Sequence, residues 1–409
     1  MAERLIIRNF AGIDEIDIEL GRINIFIGAQ ASGKSVCVKC LYFFKGVVDL
    51  VLRQAISGSG QTDELKSYLL GEFVALFELA AYQNLTFRYT DGDEFIQING
   101  DGSSLKLTLS DFYSDLFNRA RKASLSRNNS TPEEAAFLDD AIYKRFKESV
   151  MKELSPLSAG PQWFIPASRT IYSLSPEPQT ASVFSTDPFL NNFRGFYNVL
   201  RKHQLFYWTD KPLITSLSKE ILRADFSHEK GEDYILQLDG TKTLLSCASS
   251  GQQEVLPIIL TFRHLAQRTI GPLIAYVEEP EAHLHPTTQN AVVKLMTAVF
   301  NIRSIPLQLF LTTHTPYLLT AFNNFIYAGQ LADTLQNDAA EMAKLDAVVP
   351  KELRLHLADF RVYGLENGRA TLMIDEETGL LRADSIDSVS DVTADQFGDL
   401  MALDPAIHS

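Results

Sequence analysis

One stretch decides the fold of this 409-residue chain: Ile23-Asn24-Ile25-Phe26-Ile27-Gly28-Ala29-Gln30-Ala31-Ser32-Gly33-Lys34-Ser35. An apolar run ends at Gly28, and an apolar pattern with helical spacing begins after Ser35. A strand, the pattern G-x-x-x-x-G-K-S and a helix, in this order, predict a P-loop. Its glycines let backbone N–H groups face a polyphosphate, and the N-terminus of the following helix attracts the same anion.

The P-loop predicts which positions bind a nucleotide and its metal ion. The predicted cofactor-binding residues are Gly28, Ala29, Gln30, Ala31, Ser32, Gly33, Lys34, Ser35 and Val36. Lys34 is expected to reach the β and γ phosphates during catalysis, and the Ser35 hydroxyl is expected to complete a Mg²⁺ site. The alternative is a glycine- and serine-rich turn that binds nothing, but eight matching positions between a strand and a helix favour the P-loop.

Two carboxylates and a histidine follow apolar strand patterns further along the chain. The run 273–277 ends in Glu278 and Glu279, and His314 follows the run 307–311. A P-loop enzyme needs one carboxylate for Mg²⁺ and a neighbour to polarise the attacking water. We assign Glu278 to the metal ion and Glu279 to the water. His314 is expected to reach the γ-phosphate from a strand beside the P-loop strand; the alternative is a structural histidine.

A second group of small residues precedes another helix pattern, which continues through residues 255–262. Ser249, Ser250, Gly251 and Gln252 form this group, which we call the second phosphate cradle. Small residues before a helix N-terminus can bind an anion through backbone N–H groups. Two cradles in one chain suggest that two chains share two nucleotides. The alternative is a helix cap that is rich in serine.

Other polar residues carry weaker signals. His283-Leu284-His285 has the spacing of a metal-binding pair, but no third ligand lies nearby in the sequence. Arg8, Gln83 and Arg169 are single residues with weak signals and receive no role. A lone arginine is usually a surface or structural residue.

Composition limits the class of protein. With 45% hydrophobic and 22% charged residues, the chain fits a globular protein of one large domain with insertions, or of two domains. Its net charge of −14 argues against non-specific coating of DNA but leaves a local basic groove open. Cys37, Cys40 and Cys247 cannot complete a zinc site and are expected to be buried thiols. Without a membrane-spanning run or a signal-peptide core, a cytoplasmic protein with no membrane contact is expected.

Several stretches resemble those of a known family. Residues 6–13 (Ile-Ile-Arg-Asn-Phe-Ala-Gly-Ile) and the P-loop resemble the N-terminus of RecF/SMC-like ABC ATPases. Residues 248–252 resemble a diverged ABC signature, in which Ser250 replaces the first glycine. Residues 278–286 and 312–316 resemble the Walker B, D-loop and His-switch of AAA family ATPases of the overcoming-lysogenization-defect (OLD) type. The set also resembles ATPase subunits of bacterial anti-phage defence systems.

The resemblance implies an α/β fold: an ABC-type P-loop ATPase domain with an antiparallel β subdomain and inserted helical arms. We expect residues 1–110 to form its N-terminal part and residues 111–230 a helical insert region with a core strand near 163–169. Residues 231–383 would form the C-terminal part with the signature, Walker B and His-switch, followed by an acidic segment at 384–409. The runs at 360–363, 370–374 and 380–381 are expected to close an edge sheet.

The resemblance also implies an activity and partners. It implies Mg²⁺-dependent ATP hydrolysis by a homodimer or higher homo-oligomer, in which each P-loop faces the second phosphate cradle of the other subunit. OLD proteins usually carry a C-terminal Toprim nuclease domain, whose acidic pattern is not recognisable after His314. We therefore expect a switch subunit that controls a separately encoded effector, such as a Toprim nuclease, in anti-phage defence. A RecF-like ATP-dependent DNA-binding clamp is the alternative, and it would add nucleic acid as a partner.

Overall fold

The computed structural model of the chain describes residues 3–57, 62–77, 84–102, 104–125, 131–170, 187–202, 211–268, 271–303 and 305–383, together with Gln396. Gln83 and nearly all of the acidic segment 384–409 lie outside the described residues. Three stretches of the helical insert region, residues 126–130, 171–186 and 203–210, lie outside them as well.

Strands dominate the N-terminal part of the chain and alternate with helices in the C-terminal part. The strands are β1 (Glu3–Phe10), β2 (Ile13–Leu20), β3 (Ile23–Ile27), β4 (Thr86–Asp91), β5 (Glu94–Gly100), β6 (Leu105–Leu109), β7 (Gln162–Ile165), β8 (Ala224–Glu229), β9 (Glu232–Gln237), β10 (Lys242–Leu244), β11 (Leu273–Glu278), β12 (Leu307–Thr313), β13 (Phe360–Glu366), β14 (Arg369–Leu372), β15 (Ile374–Asp375) and β16 (Leu380–Leu381). The helices are α1 (Lys34–Ser57), α2 (Thr62–Phe77), α3 (Asp111–Leu125), α4 (Pro132–Glu153), α5 (Pro188–Lys202), α6 (Pro212–Leu222), α7 (Ser250–Gln267), α8 (Pro286–Ile302), α9 (Pro316–Leu335) and α10 (Ala339–Val348).

One 11-stranded sheet carries both parts of the chain, in the order β6-β5-β4-β1-β2-β14-β13-β3-β12-β11-β7. Antiparallel pairs build the half that contains β1, β2, β4, β5 and β6. In the other half, β13, β3, β12, β11 and β7 run parallel. Every residue of β3, β11 and β12 is buried, as in parallel sheets that are covered on both faces. The α/β fold expected from the sequence is confirmed.

The helix α1 follows the P-loop and packs into the core. Four residues at helical spacing form the buried face predicted from the sequence: Leu41, Phe44, Val48 and Leu52. The P-loop strand β3 contributes side chains to the cores on both faces of the sheet, because successive strand residues point to opposite faces. Phe26 packs in the same core as α1, whereas Ile25 and Ile27 pack in the core on the other face. Both cores therefore hold the P-loop strand in place.

Within residues 111–230, a predicted helix start is confirmed, whereas the last stretch predicted to be helical is not. Thr131 caps α4 through a capping box with Glu134, and proline stands at the start of the helix, as the sequence indicates. Residues 224–229, predicted to be helical, form strand β8 instead, and β8 pairs with β9. The boundary expected at residue 230 therefore falls inside a hairpin turn. The period-two burial of Ala224 and Phe226 is the strand signal that the prediction missed.

The C-terminal strands do not close an edge of the sheet, so this prediction is wrong. β13 lies inside the large sheet between β14 and β3, where Phe360 pairs with Ile23 and Tyr363 pairs with Phe26. β15 and β16 form a separate two-stranded sheet. A short apolar run indicates a strand but not its neighbours, which depend on how distant segments pack.

The cysteines differ in burial. Cys37 and Cys40 are buried on α1, and burial raises the pKa of the Cys37 thiol to about 12. Cys247 is exposed, so the prediction of a third buried thiol is wrong. Cys247 lies in a short turn immediately before the exposed start of α7, where no core packing covers it. In the part of the chain that the structure describes, no helix is both long and apolar enough to cross a bilayer.

Candidate active site

Two glycines shape the loop between β3 and α1. A Cβ atom added at Gly28 would lie 2.3 Å from the carbonyl oxygen of Leu365 on β13. At Gly33 the φ angle is 97°, and an added Cβ would lie 2.9 Å from the side chain of Ile13. A larger residue at either position would displace the loop, because backbone and core side chains already fill the space. The neighbouring strands therefore determine where the loop turns.

The Lys34 side chain lies inside this loop. Its ammonium group donates to the carbonyl oxygens of Gly28 at 2.9 Å and Ala29 at 2.7 Å, and Lys34 is only 4% exposed. Burial lowers the pKa of Lys34, and the nearby charges of Glu279 and Glu281 oppose that shift. A buried ammonium with no carboxylate among its described hydrogen-bond partners is well placed to bind a phosphate oxygen.

Glu278 ends β11 beside the P-loop and is 5% exposed. Its Oε2 accepts a hydrogen bond of 3.3 Å from the Ala167 backbone N–H, and its Oε1 has no hydrogen-bond partner among the described residues. Burial raises the pKa of Glu278, whereas the nearby Ser35 hydroxyl and the charge of Lys39 oppose the shift. A buried oxygen without a partner, next to a hydroxyl, fits Mg²⁺, which binds through few protein oxygens and keeps other positions for water and phosphate.

Glu278→Gln is expected to stabilise the fold at neutral pH in the absence of nucleotide and Mg²⁺. A carboxyl with a raised pKa in the folded state begins to cost stability as the pH rises above its ordinary pKa, reaches the full cost above the raised pKa, and costs nothing below the ordinary value. The melting temperature should therefore rise by about 2 °C or more at pH 7 and stay unchanged near pH 4. The exposed Glu376→Gln is the control. A lower melting temperature of Glu278→Gln at neutral pH would show that the carboxylate has a stabilising partner.

Glu279 and His314 face each other at the same edge of the sheet. Their side chains meet at 2.8 Å, between Nε2 of His314 and Oε1 of Glu279, and each side chain is about one-third exposed. Glu279 has a φ of 44°, which costs about 1–3 kcal/mol for a residue other than glycine. Its backbone N–H donates to the Thr312 carbonyl at 3.0 Å. Strain of this kind is common where a fold holds a reactive side chain in place.

The His314 ring also connects to the P-loop. Its Nδ1 lies 3.0 Å from the Gly28 carbonyl oxygen and 3.3 Å from the Lys34 ammonium nitrogen. Glu281 accepts a hydrogen bond from the backbone N–H of His314 at 2.8 Å and thereby fixes the start of this segment. The strand that precedes His314 lies beside the P-loop strand, because β12 pairs with β3. We refer to Lys34, Ser35, Glu278, Glu279 and His314 as the P-loop cluster.

Arg169, which sequence reasoning left without a role, is fully buried at the centre of this region. Its guanidinium donates to the carbonyl oxygens of Glu278 at 2.8 Å and Glu279 at 3.0 Å. It also donates to the Glu254 carbonyl oxygen at 3.0 Å and pairs with the Glu254 carboxylate on α7. Arg169 thus joins the end of β11 to the helix that follows the second phosphate cradle. Its position just after an apolar strand was the available signal, because parallel strands end at one edge of a sheet.

The second phosphate cradle lies apart from the P-loop cluster. Ser249 and Ser250 are exposed, and a capping box joins Ser249 to Gln252. Gln252 also donates to the Leu222 carbonyl oxygen at 3.1 Å. Gly251 packs close to the His283 carbonyl oxygen, which would lie 3.3 Å from an added Cβ. Among the described residues, no hydrogen bond or ion pair directly links the cradle to the P-loop cluster, and Arg169 connects the two only indirectly, through Glu254 on α7.

The remaining candidates have structural partners. Arg8 pairs with Glu15 at 2.7 Å on the surface, and the ring of His285 accepts a hydrogen bond from the Thr287 backbone N–H at the start of α8. The structure describes no group of three or more histidine, cysteine or acidic side chains that could hold a metal ion. Gln83 lies outside the described residues.

Comparisons with known proteins agree with a nucleotide site. The family profile of the AAA ATPase domain matches residues 110–319, which include the second phosphate cradle, Glu278, Glu279 and His314 and which begin after the P-loop. No curated protein matches the chain.

Among solved structures, the chain is similar to SMC head domains. The SmcHead bound to the C-winged helix domain of ScpA is 11% identical, with a TM-score of 0.42, over 91% of this chain and 96% of that chain. The SMC head domain from Thermotoga maritima is 10% identical, with a TM-score of 0.37, over 92% and 99%. The Smc head domain with an extended coiled coil, bound to the C-terminal domain of ScpA derived from Pyrococcus furiosus, is 13% identical, with a TM-score of 0.36, over 96% and 99%.

The family profile covers just over half of the chain. The chain therefore belongs to the AAA ATPase domain family, whose activity is the hydrolysis of ATP.

Proposed function

We propose that this ATPase works as a homodimer that sandwiches two ATP molecules, with each P-loop cluster facing the second phosphate cradle of the partner subunit. The lack of a direct contact between the two features among the described residues carries the proposal. Ser249 and Ser250 of the cradle are exposed at the N-terminus of α7, yet no hydrogen bond or ion pair among the described residues directly joins the cradle to the P-loop cluster. The ATP held by a second copy of the chain is the simplest source of an anion for that surface.

Within each composite site, the residues divide the chemistry among them. The phosphates would be held by the loop residues 28–36, and in particular by Lys34. Mg²⁺ would be held by Ser35 and Glu278. Mg²⁺, when bound, neutralises charge on the phosphate oxygens. Glu279 would orient the attacking water and accept its proton. His314 lies against both Glu279 and Lys34, so it can hold the carboxylate in position and contact the γ-phosphate.

Mixing two inactive variants tests the sandwich. Ser250→Arg is expected to block dimer closure by filling the second phosphate cradle with a bulky cation, while ATP still binds the P-loop of the same subunit. Lys34→Ala removes the P-loop cation and leaves the cradle intact. In a mixed dimer, one of the two composite sites keeps both intact halves. Turnover should therefore return to about half the value of the unaltered dimer, measured as phosphate release against the fraction of mixed dimer.

Controls make that experiment decisive. Ser246→Arg places the same side chain on an exposed serine just before the cradle and is expected to leave turnover unchanged. Absence of recovery in mixed dimers, confirmed by two affinity tags, would count against the sandwich. If each subunit hydrolysed ATP alone, Ser250→Arg would keep its turnover before mixing.

We further propose that the dimer controls a separately encoded effector, most simply a Toprim-type nuclease in anti-phage defence. The resemblance to OLD-type ATPases supports this role, and the net charge of −14 favours a protein partner over bare DNA. Helix α4 of the insert region exposes Phe137 (74%) and Leu138 (38%), which supports a protein contact there. Co-purification with the product of a neighbouring gene, lost in Phe137→Glu, is the test.

The second candidate is a RecF-like DNA clamp, which the stretch at residues 6–13 favours. A clamp should bind DNA ends in an ATP-dependent way, and its affinity should fall steeply as salt rises. Tight DNA binding by the purified protein at physiological salt, with no co-purifying neighbour, would replace the effector proposal with this one.

A further inference from the structure

A pocket of about 700 Å³ opens beside the second phosphate cradle. Its lining includes Ser249, Gly251 and Gln252 of the cradle, together with Arg223, His283 and His285. Two helices, α7 and α8, begin at or beside these residues, so their N-terminal N–H groups add positive potential. No aspartate or glutamate is among the described residues that line the pocket, although the chain carries a net charge of −14. This local charge suits an anion.

Among the described residues of this lining, Arg223 is the one arginine or lysine. It caps the C-terminus of α6 in the left-handed conformation, with a φ of 54°, where glycine or asparagine is the usual residue. Its side chain is exposed, and no hydrogen bond or ion pair of its guanidinium occurs within the described part of the chain. A strained backbone that presents an unpaired arginine points to a role outside the folding of the subunit.

The position of Arg223 is tied to the cradle. The Gln252 side chain donates to the carbonyl oxygen of Leu222, the residue immediately before Arg223, at 3.1 Å. Gln252 also forms the capping box with Ser249. The turn that carries Arg223 is therefore connected to the helix N-terminus of the cradle. A phosphate bound at the cradle would lie in the pocket that Arg223 also lines.

We infer that Arg223 acts in trans, with its guanidinium contacting the terminal phosphates of the ATP that the partner's P-loop holds. This inference rests on the proposed sandwich dimer. A guanidinium presents several donors in a planar fork that matches phosphate oxygens, and it stabilises the charge that develops during phosphoryl transfer. None of the described residues that line the pocket belongs to the chain's own P-loop, so a phosphate in this pocket would come from another molecule.

Arg223→Gly tests the inference with little risk to the fold. Glycine suits the left-handed conformation, so the melting temperature should stay unchanged or rise. ATP binding to the subunit's own P-loop should persist, measured with a fluorescent ATP analogue. Turnover at saturating ATP should fall about 100-fold or more, since arginines that act in trans contribute about 10³–10⁵ to the rate in other P-loop enzymes.

Lys230→Gly is the matched control. Lys230 is also an exposed cation with a positive φ of 52°, in the turn between β8 and β9, and it does not line the pocket. This variant should gain the same backbone relief and keep its turnover. Normal turnover of Arg223→Gly, or an equal loss in Lys230→Gly, would overturn the inference.

Mixed dimers separate this inference from the sandwich on which it rests. Arg223→Gly mixed with Lys34→Ala should recover partial turnover, because the intact P-loop then meets the intact Arg223 of the other subunit. If this mixture stays inactive while Ser250→Arg mixed with Lys34→Ala recovers, the sandwich stands and a role of Arg223 in trans is refuted. If neither mixture recovers, the sandwich itself fails, and the inference fails with it.

Discussion

Glu279→Gln is expected to bind ATP but to hydrolyse it about 10²–10⁴ times more slowly, because general-base catalysis contributes a factor of that size. The amide keeps the shape of the side chain and can still face His314, yet it cannot accept the proton of the attacking water. Because ATP stays intact, the closed dimer should accumulate. Single-turnover hydrolysis and light scattering with ATP and Mg²⁺ measure the two effects.

Glu278→Gln provides the comparison for this variant, since the two carboxylates are adjacent but differently placed. Glu278 is buried beside Ser35, whereas Glu279 is about one-third exposed and faces His314. We expect Glu278→Gln to lose the Mg²⁺ dependence of ATP binding rather than to trap the dimer. The opposite pattern, with Glu278→Gln trapped and Glu279→Gln unable to use Mg²⁺, would reverse the two roles.

Lys34→Ala is expected to abolish hydrolysis and to weaken ATP binding by about 2–5 kcal/mol, roughly 30-fold or more, because a buried charge pair with phosphate is lost. The Lys34 ammonium already lies inside the loop, where the carbonyl oxygens of Gly28 and Ala29 accept its hydrogen bonds. Phosphate oxygens would take over these contacts when ATP binds. Isothermal titration with ATP and Mg²⁺ measures the loss.

The surface variant Lys344→Ala is the control for the loss of one positive charge, since Lys344 pairs with Glu341 on α10, outside the P-loop cluster. It should bind and hydrolyse ATP normally. Unchanged turnover in a folded Lys34→Ala variant would remove the P-loop assignment, and with it the proposed sandwich.

Local patterns predicted much of the secondary structure. The strand before Gly28, the helix after Ser35, the antiparallel strands near residues 86–109 and the cap at Thr131 all form where the sequence indicated. Each depends on residues that are close in the chain, because hydrophobic periodicity, turn glycines and capping side chains act over a few positions. The roles of the P-loop cluster and of the second phosphate cradle stay predictions until the variants are measured.

Long-range packing decided what the sequence could not show. β13 lies inside the sheet beside β3, although it was predicted at an edge. β8 is a strand that pairs with β9, although its residues were predicted to be helical. The pairing of a short apolar strand depends on which distant segment covers it, and that information is spread over the whole chain.

By itself, the sequence determined which side chains are available and where they stand along the chain: a glycine-rich loop with Lys34, a strand that ends in two carboxylates and a histidine after the next strand. Only the tertiary structure decided how these groups meet. It buried Arg169 against the carbonyl oxygens of Glu278 and Glu279, and it placed Arg223 beside the cradle with no side-chain partner among the described residues. The reason is physical: residue types set which bonds are available, whereas burial and distance, which arise from the packing of remote segments, set which bonds form.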